Sequence, residues 1–335
     1  MPPTSSRMES GERADVIIIG GGPAGSTAGS LLAAAGRRVI LFEKEVFPRF
    51  HIGESLLPFN MDLLARLGVA KSVEERFVEK WGARLISSDG AVSRYIRFAE
   101  GFVPGHPRAF QVLRSEFDEM LLRAAAARGV DVREGVPVTE ASCSATEGCS
   151  VTVREPGPGG ETRQATYRGR FLLDASGRDA FIASKRRYRE MMPDLKKGAV
   201  FAHYEGVERA TGPEGGDIII VVLRDGWFWM IPLPGARTSV GLVTDAAHLK
   251  RGGRTKEELL DDALRRCPAA WSRMTNARRV SEVWSASDYS YECRGIAGDG
   301  YLLLGDAAAF IDPIFSTGVW LAMSSGEIAA DTLHR

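Results

Sequence analysis

The chain has 335 residues, of which 44% are hydrophobic and 26% charged, so its length suits about two globular domains. It carries 43 basic and 43 acidic residues, and this zero formal net charge argues against nucleic-acid partners. No apolar run reaches the roughly 18 residues of a membrane span. The polar start "MPPTSSRMESGER" also lacks the apolar core of a signal peptide. We therefore expect a cytoplasmic protein with no membrane or nucleic-acid partner.

The polar residues 1–13 predict a disordered tail. The four cysteines, at 143, 149, 267 and 293, show no metal-binding spacing, and we expect all of them to be reduced thiols. The five histidines are scattered singly. The sequence therefore predicts no metal site.

Residues 14–45 predict a strand, a tight turn, a helix and a second strand. Residues 16–19 form a continuous apolar run, which is typical of a parallel strand buried on both faces. Gly20, Gly22 and Gly25 follow with the spacing GxGxxG. In this pattern Gly20 permits the turn, Gly22 lets a pyrophosphate approach the backbone, and Gly25 allows close helix–strand packing. Small residues from Ala24 onward allow the helix to approach the sheet, with its N–H groups directed at the phosphates.

The second predicted strand, 39–42, ends at Glu43. This acid stands about 20 residues beyond the glycines, where a carboxylate can bond a ribose 2′-OH. Because strand, glycines, helix, strand and acid occur in order, the segment predicts a dinucleotide site. The acid favours an unphosphorylated ribose, so FAD or NAD rather than NADP.

The middle of the chain is rich in predicted strands, at 216–224, 227–233 and 237–244. One of these holds Trp227 and Trp229, which alternation along a strand places on the same face. Core packing explains such a pair, because aromatic side chains bury large areas. A wall inside an active site is the alternative interpretation.

Three segments resemble flavoproteins of the aromatic-hydroxylase type. They are "FQVLRSEFDEMLLRAAAARGVDV" (110–132), "RGRFLLDASGRDAF" (168–181) and "DGYLLLGDAAAFIDPIFSTG" (299–318). The resemblance implies bound FAD, with Arg114 near the flavin, Asp174 in the second nucleotide-contact motif and Gly305-Asp306 at the ribityl chain. It also implies an α/β fold, in which a Rossmann-type FAD-binding domain (14–90, 108–190, 285–335) is interleaved with an antiparallel β-sheet substrate domain (91–107, 191–284).

Further motifs resemble flavin-dependent halogenases, which are relatives of those hydroxylases. They are Trp227-x-Trp229-x-Ile231-Pro232, "FIDPIFSTG" (310–318), "FVEKWGARL" (77–85) and "RFHIGESLLP" (49–58), the last typical of the phenol and pyrrole type. The resemblance implies that Lys80 is the essential lysine, that the two indoles separate flavin from substrate, and that Thr317 and Gly318 bind halide. The implied cofactor-binding residues are Gly20, Gly22, Ala24, Gly25, Glu43, Lys44, Arg114, Asp174, Gly305, Asp306, Pro313 and Gly318.

In such an enzyme, reduced FAD (FADH2), O2 and chloride or bromide yield hypohalous acid. Lys80 holds it or forms a haloamine, and burial favours the neutral amine that this requires. The implied partners are a separate NAD(P)H-dependent flavin reductase and an electron-rich aromatic substrate, either free or tethered to a carrier protein. Halogenases of this group usually continue beyond the point matching Arg335 with a further helical region that shapes the substrate cavity.

Some alternatives remain open at this point. Glu54 and Ser55 lie near the flavin in the family pattern, but a polar turn capping the next helix explains them equally well. We interpret His51 as structural. On the same fold, the alternative functions are a flavin monooxygenase, a prenyl-chain reductase and a non-catalytic FAD-binding protein.

Overall fold

The computed structural model describes residues 7–9, 11–101, 105–157, 159–250, 253–287 and 290–334. Across these ranges, no helix is both long and apolar enough to cross a membrane. The helices are α1 (Pro23–Ala34), α2 (Asn60–Arg66), α3 (Ala70–Arg76), α4 (Arg114–Ala127), α5 (Phe181–Arg186), α6 (Ala246–Lys250), α7 (Lys256–Arg265), α8 (Pro268–Trp271) and α9 (Gly318–His334).

The first sheet is mostly parallel and contains both strands predicted around the glycine turn. Its strands lie in the order β19 (Ala297–Gly298), β20 (Tyr301–Leu303), β10 (Thr162–Asp174), β1 (Arg13–Ile19), β2 (Val39–Phe42) and β7 (Asp131–Arg133), and β10 also pairs with the hairpin of β8 (Val138–Ser144) and β9 (Gly148–Pro156).

The carboxyl ends of three parallel strands meet at one edge of this sheet. Ile19, the last residue of β1, pairs with Asp174 of β10 and Phe42 of β2. Helix α1 packs against α4 and α9 on one face. Gly326 of α9 allows this approach, because a Cβ there would lie 2.6 Å from the backbone oxygen of Ala24. The loops after the three strands are therefore held side by side.

The second sheet is mostly antiparallel and includes the strands predicted in the middle of the chain. Its order is β16 (Arg278–Arg279), β12 (Lys197–Glu205), β15 (Arg237–Asp245), β14 (Gly226–Pro232), β13 (Ile218–Val222), β4 (Gly82–Ser87) and β5 (Ser93–Arg97), with β17 (Trp284–Ser287) also paired to β12. Smaller sheets join β3 (Val78–Lys80) to β6 (Ala109–Gln111), and β11 (Arg189–Met191) to β18 (Tyr291–Cys293) and β21 (Ala309–Phe310).

Side chains of β14 alternate between two apolar clusters. Trp227 and Trp229 belong to a cluster shared with the first sheet, α1 and α9. Phe228 and Met230 point the other way, into a cluster with residues of α7 and α8. Alternation thus places both indoles on the same face of the strand, as the sequence predicts, and the structure shows that this face looks toward the first sheet.

Strands of the second sheet cross two boundaries of the predicted division into domains. Strand β4 pairs in parallel with β13, so 82–87 lie in the second sheet and not in the FAD-binding part. The reason is the apolar strand-forming run that includes Leu85 and Ile86, of which Leu85 pairs with Ile220 and Ile86 with Val221. Strand β17 likewise pairs with β12, across the predicted boundary at 285. The remainder of the proposed division stays a prediction.

The predicted disordered tail is partly ordered. Met8 is buried, and its N–H donates to Asp131 Oδ2 at 2.9 Å, while its carbonyl accepts from Arg133. These buried charged partners fix the backbone just before β1, which begins at Arg13. Residues 1–6 and 10 lie outside the described residues.

The expectation of reduced thiols is wrong for one pair of cysteines. Cys143 and Cys149 stand directly opposite each other in the β8–β9 hairpin and form a disulfide. The other two, Cys267 and Cys293, are free and buried. Register between the strands brings the first pair together, with their Cα atoms 4.1 Å apart, and linear spacing in the sequence did not indicate it.

Candidate functional site

A cavity of about 300 Å³ lies between the two sheets, and we call it the central cavity. Its walls come from the loops after β1, β2 and β10, from the 49–55 segment, from the start of α9 and from the indole face of β14. The predicted site residues in its lining are Gly22, Ala24, Glu43, Lys44, Arg114, Trp227, Trp229, Asp306 and Gly318. The lining, as far as the structure describes it, excludes Gly20, Gly25, Lys80, Asp174, Gly305 and Thr317.

The glycine turn has two packed positions and one open position. A Cβ on Gly20, whose φ is +101°, would lie 2.3 Å from the Ala175 carbonyl oxygen, and one on Gly25 would lie 2.0 Å from the Gly20 oxygen. At Gly22 the nearest described atom would be Arg49 Nη2, at 3.6 Å. Because the first N–H groups of α1 have no acceptor within the helix, the open position suits a pyrophosphate.

Glu43 shapes the same turn. Its side chain is 5% exposed; Oε2 accepts from the Gly21 N–H at 2.7 Å, and Oε1 accepts from the Glu45 N–H at 2.9 Å. A carboxylate has about four acceptor sites, so the group can still bond a ribose hydroxyl from the cavity side. Lys44 lies at the cavity and forms an ion pair with Asp179.

Arg114 is held by a carboxylate that the sequence analysis missed. Its Nε and Nη2 donate to Asp118 at 2.7 and 2.9 Å, and its Nη1 donates to the Ile52 carbonyl at 2.7 Å. Burial raises the pKa of the Asp118 carboxyl, but the nearby guanidinium groups, Arg114 first and then Arg49, together hold the pKa below its usual range. The i,i+4 spacing of Arg and Asp at the start of α4 was the available signal. The pair fixes the guanidinium in the cavity wall.

Asp174 and Asp306 play different parts. Asp174 accepts from the Ser176 hydroxyl at 2.6 Å and from the Ile182 N–H at 2.7 Å, and so shapes the turn whose residues 175–177 line the cavity. Asp306 itself lines the cavity. Burial raises its pKa to about 6, although Arg114 and Arg178 act in the opposite direction.

The predicted halide loop leads into α9. A 3₁₀ turn, Pro313–Phe315, is followed by Ser316 in the left-handed region (φ +57°), and α9 begins at Gly318. Ser316 and Gly318 line the cavity, while the Thr317 carbonyl accepts the Leu321 N–H at 2.9 Å. The N-terminal end of α9 thus meets the cavity, and a helix N-terminus favours anions.

The two indoles form one continuous surface. Their ring centroids are 5.8 Å apart, and both residues line the central cavity. The Trp229 ring lies over Gly241 on β15, where a Cβ would come within 2.2 Å of the ring, and its Nε1 donates to Ser239 Oγ at 3.0 Å. The core-packing interpretation and the active-site-wall interpretation therefore do not exclude each other, because the indoles belong to the apolar core and also line the cavity.

Because the motif around the two indoles resembles that of halogenases, we expect Trp229→Phe to fold but to alter halogenation and to yield some hydroxylated product. A phenyl ring leaves part of the wall open and Ser239 Oγ without its indole partner, which costs about 1 kcal/mol of stability. Denaturation and chromatography of products measure the two effects. If Trp227→Phe and Trp229→Phe both halogenate like the parent, the wall interpretation fails and core packing remains.

Lys80 is buried beside the cavity. Its side chain is 1% exposed, and Nζ donates to Ser55 Oγ and to the Leu56 carbonyl, each at 2.9 Å. Burial lowers the pKa of Lys80 from 10.5 to about 7, and the nearby Asp217 opposes the shift. Asp217 also fixes the backbone after the lysine, since it accepts the N–H groups of Trp81 and Gly82 at 2.6 and 2.8 Å. A substantial fraction of this amine is therefore neutral near neutral pH.

This pKa predicts a pH-dependent contribution of Lys80 to stability. In the unfolded chain the lysine titrates at its ordinary value of 10.5, and in the folded chain at about 7. Between those values the unfolded state binds the extra proton, so the free energy of unfolding rises with pH by about 1.4 kcal/mol per unit. Lys80→Met lacks this contribution. From pH 7 to 9 the free energy of unfolding of Lys80→Met, measured by chemical denaturation, should fall by about 2 kcal/mol relative to that of the parent. If the two proteins instead show the same dependence of stability on pH, Lys80 is not a buried lysine with a lowered pKa.

The 49–55 segment contributes side chains whose role the sequence left open. Ser55 does not cap the next helix, because α2 has Phe59 at its N-cap; Ser55 Oγ instead accepts from Lys80. Glu54 Oε1 lies 2.8 Å from His203 Nε2 on β12. His51 lines the cavity with its side chain half-buried, and loss of solvation there lowers its pKa to about 4. The polar-turn interpretation is thus wrong for the serine, whose partner is distant in sequence.

No cluster of metal-ligating side chains occurs within the described part of the chain.

The fold and the cavity define a class of FAD-binding flavoproteins: the family model described as "FAD binding domain" matches residues 13–333. The chain is 32% identical over 339 residues to a Pseudomonas fluorescens chlorinase of 1H-pyrrole-2-carbonyl on a peptidyl-carrier protein, covering 94% of this chain and 74% of that protein. It is 34% identical to the corresponding brominase of Pseudoalteromonas luteoviolacea, with 96% and 77% covered. The chain therefore belongs to the flavin-dependent halogenase family.

A solved structure agrees with that assignment. The myxobacterial chondrochloren halogenase superposes with a TM-score of 0.89 at 34% identity, over 96% of this chain and 75% of that one. The chain also covers 60% of a tryptophan 2-halogenase of Chondromyces crocatus, to which it is 35% identical. The predictions of an α/β FAD-binding fold and of halogenase membership are confirmed, and the chain spans between 60% and 77% of these relatives' lengths.

Proposed function

We propose that this chain carries the catalytic part of an FAD-dependent halogenase, in which hypohalous acid is passed to Lys80 and halogenates an electron-rich aromatic substrate. The observation that carries the proposal is the buried amine of Lys80. It lies directly behind Ser55 in the wall of a cavity that also contains the two indoles. A surface lysine would be fully protonated and non-nucleophilic near neutral pH, whereas this one is partly neutral.

The residues present fit FAD. Gly22 is open toward the cavity, Glu43 stands at the end of β2, and the cavity continues from the glycine turn to the indoles. Reduced FAD with O2 would supply the two-electron oxidation of halide to hypohalous acid. The glycine turn and the start of α1 would hold the pyrophosphate, and Glu43 would hold the ribose. Asp306 would contact the ribityl chain, and Arg114 would lie near the flavin ring.

The protein's own groups then have separate tasks. The N-terminal end of α9, at Gly318, would attract halide through its N–H groups, and Thr317 would contribute from the same turn. The indoles of Trp227 and Trp229 would keep the organic substrate away from the oxidising centre. Lys80 would restrain an oxidant that otherwise attacks methionine and cysteine unselectively.

The substrate class follows from the relatives. The names of both the chlorinase and the brominase give the substrate as 1H-pyrrole-2-carbonyl on a peptidyl-carrier protein. We propose a phenolic or pyrrolic ring, tethered to a carrier protein, with chloride as the halide. A separate NAD(P)H-dependent flavin reductase would supply FADH2, and the natural role would be in biosynthesis of a halogenated product.

Product analysis tests the proposal directly. The chain is supplied with FADH2, O2 and either chloride or bromide, together with phenols and pyrroles both free and carrier-bound. A mass increase with the halogen isotope pattern supports a halogenase. A product that gains only oxygen would indicate a flavin monooxygenase. Saturation of an isoprenoid double bond would indicate a prenyl-chain reductase, and FAD binding without turnover would indicate a non-catalytic protein.

A further inference from the structure

We propose that Ser55 is the positioning residue of the lysine: its hydroxyl joins Lys80 to the central cavity and relays the proton that halogen transfer to the amine releases. The inference rests on the proposed function of Lys80 and adds a residue to it. Its basis is a juxtaposition: Ser55 lines the cavity, and its Oγ lies 2.9 Å from an amine that the described lining does not include.

The local strands explain how the two residues meet. Strand β6 pairs with β3 on one side, where Lys80 lies opposite Ala109. On its other side β6 holds the segment that carries the serine, through a bridge between Ser55 and Gln111 and a hydrogen bond from the Leu56 N–H to the Phe110 carbonyl at 3.0 Å. The lysine and the serine thus flank one short strand, and backbone pairing fixes the distance between them.

The groups around Nζ provide hydrogen-bond acceptors for two N–H groups, which is as many as a neutral amine has. A neutral lysine has two N–H groups and one lone pair, whereas an ammonium has three donors. Ser55 Oγ and the Leu56 carbonyl take two donors, and the ring of Phe98 lies on a further side, its centroid 5.0 Å from Nζ. Within the described part of the chain, no carboxylate lies within 4.0 Å of Nζ. No carboxylate therefore forms an ion pair that would hold this amine in its protonated form.

The step balances with groups that the proposed reaction supplies. The Nζ lone pair attacks the halogen of hypohalous acid; the N–halogen bond forms while the O–halogen bond breaks, and that electron pair leaves with oxygen. One amine proton passes to Ser55 Oγ, and the proton of the serine hydroxyl passes to the departing oxygen, which leaves as water. The amine becomes a haloamine, and the serine regains a proton. A hydroxyl that lines the cavity within hydrogen-bond distance of the amine is the group that this transfer requires.

The test measures the transfer without turnover. The FAD-loaded protein receives one equivalent of hypochlorous acid, and peptide mass spectrometry after a rapid quench gives the chlorinated fraction of Lys80 relative to that of the exposed Lys71. Ser55→Ala should lower this ratio by about tenfold or more, since a positioned proton-transfer group contributes at least that much. Ser55→Thr keeps the hydroxyl and should stay within about threefold of the parent. Turnover of a phenolic or pyrrolic substrate should follow the same order.

Each outcome decides the inference. Equal ratios for Ser55→Ala and the parent would overturn it. Equal losses in Ser55→Ala and Ser55→Thr would also overturn it, because they would show a role of shape and not of the hydroxyl. If Lys80 in the parent takes up no chlorine and no halogenated product forms, the proposed function fails first. If the parent is chlorinated and active while Ser55→Ala behaves identically, only the role of the serine fails.

Discussion

Replacement of Lys80 by methionine should lower halogenated product by at least about 100-fold, the effect typical of losing a positioned proton-transfer group. Methionine keeps a long, flexible and mostly apolar side chain, so it suits the buried site, but it has no amine to hold hypohalous acid or carry the halogen. The oxidation of FADH2 should continue at a rate close to that of the parent, because the described cavity lining excludes Lys80. Product chromatography and stopped-flow absorbance measure the two rates separately.

Two further variants sharpen this result. Lys80→Arg should be nearly as damaging, because guanidinium stays protonated and cannot act as a neutral nucleophile. Lys71→Met makes the same chemical change on the exposed face of α3, where the side chain is 86% exposed, and should halogenate like the parent. Substantial chlorination by Lys80→Met would remove the lysine from the mechanism. Loss of FADH2 oxidation as well would instead show that the substitution had disturbed the fold or the flavin site.

The second large effect is expected at the glycine turn, where Gly22→Val should weaken FAD binding by on the order of 100-fold, about 2.7 kcal/mol. The nearest described atom to a Cβ at this position is Arg49 Nη2 at 3.6 Å, so the fold itself has room for a side chain. The valine methyl groups would occupy the space that a pyrophosphate needs. Fluorescence titration with FAD measures affinity, and circular dichroism checks that the variant is folded.

Gly25→Val is the matched comparison. There a Cβ would lie 2.0 Å from the Gly20 oxygen, so this variant should lose folded structure whether or not FAD is present. Unchanged FAD affinity in folded Gly22→Val would contradict the assignment of the turn. A folded Gly25→Val protein would show that helix and strand do not need their close approach.

The sequence predicted the parts of the site that depend on local pattern. The glycine spacing and Glu43 lie within one strand–turn–helix–strand unit, whose β2, Val39–Phe42, has the predicted bounds. The paired indoles follow from alternation within one strand, β14. Such features need no knowledge of distant contacts, because the backbone period alone sets which side chains share a face.

The features that the sequence could not predict depend on distant partners. The partner of Ser55 was missed because it lies 25 residues away along the chain, whereas Asp118, four residues from Arg114, was within reach of a local pattern. Gly241 was also missed: its lack of a side chain makes room for the Trp229 ring, and this is visible only once the register of β14 and β15 is known. The lowered pKa of Lys80 is likewise a property of complete burial.

The way the chain passes between the two sheets has a practical consequence for engineering. The strands β4 and β5 lie in sequence between β3 and β6, yet they belong to the second sheet, while one apolar cluster contains residues of both sheets. Neither sheet can therefore be expressed alone without exposing that cluster to water. A chimaera could take its first sheet from one halogenase and its second sheet from another. It would need a junction at each point where the chain passes between the sheets, and the apolar side chains of the two parts would have to pack together. Substrate range in this protein is better altered by side-chain replacement on β14 and β15 than by exchange of modules.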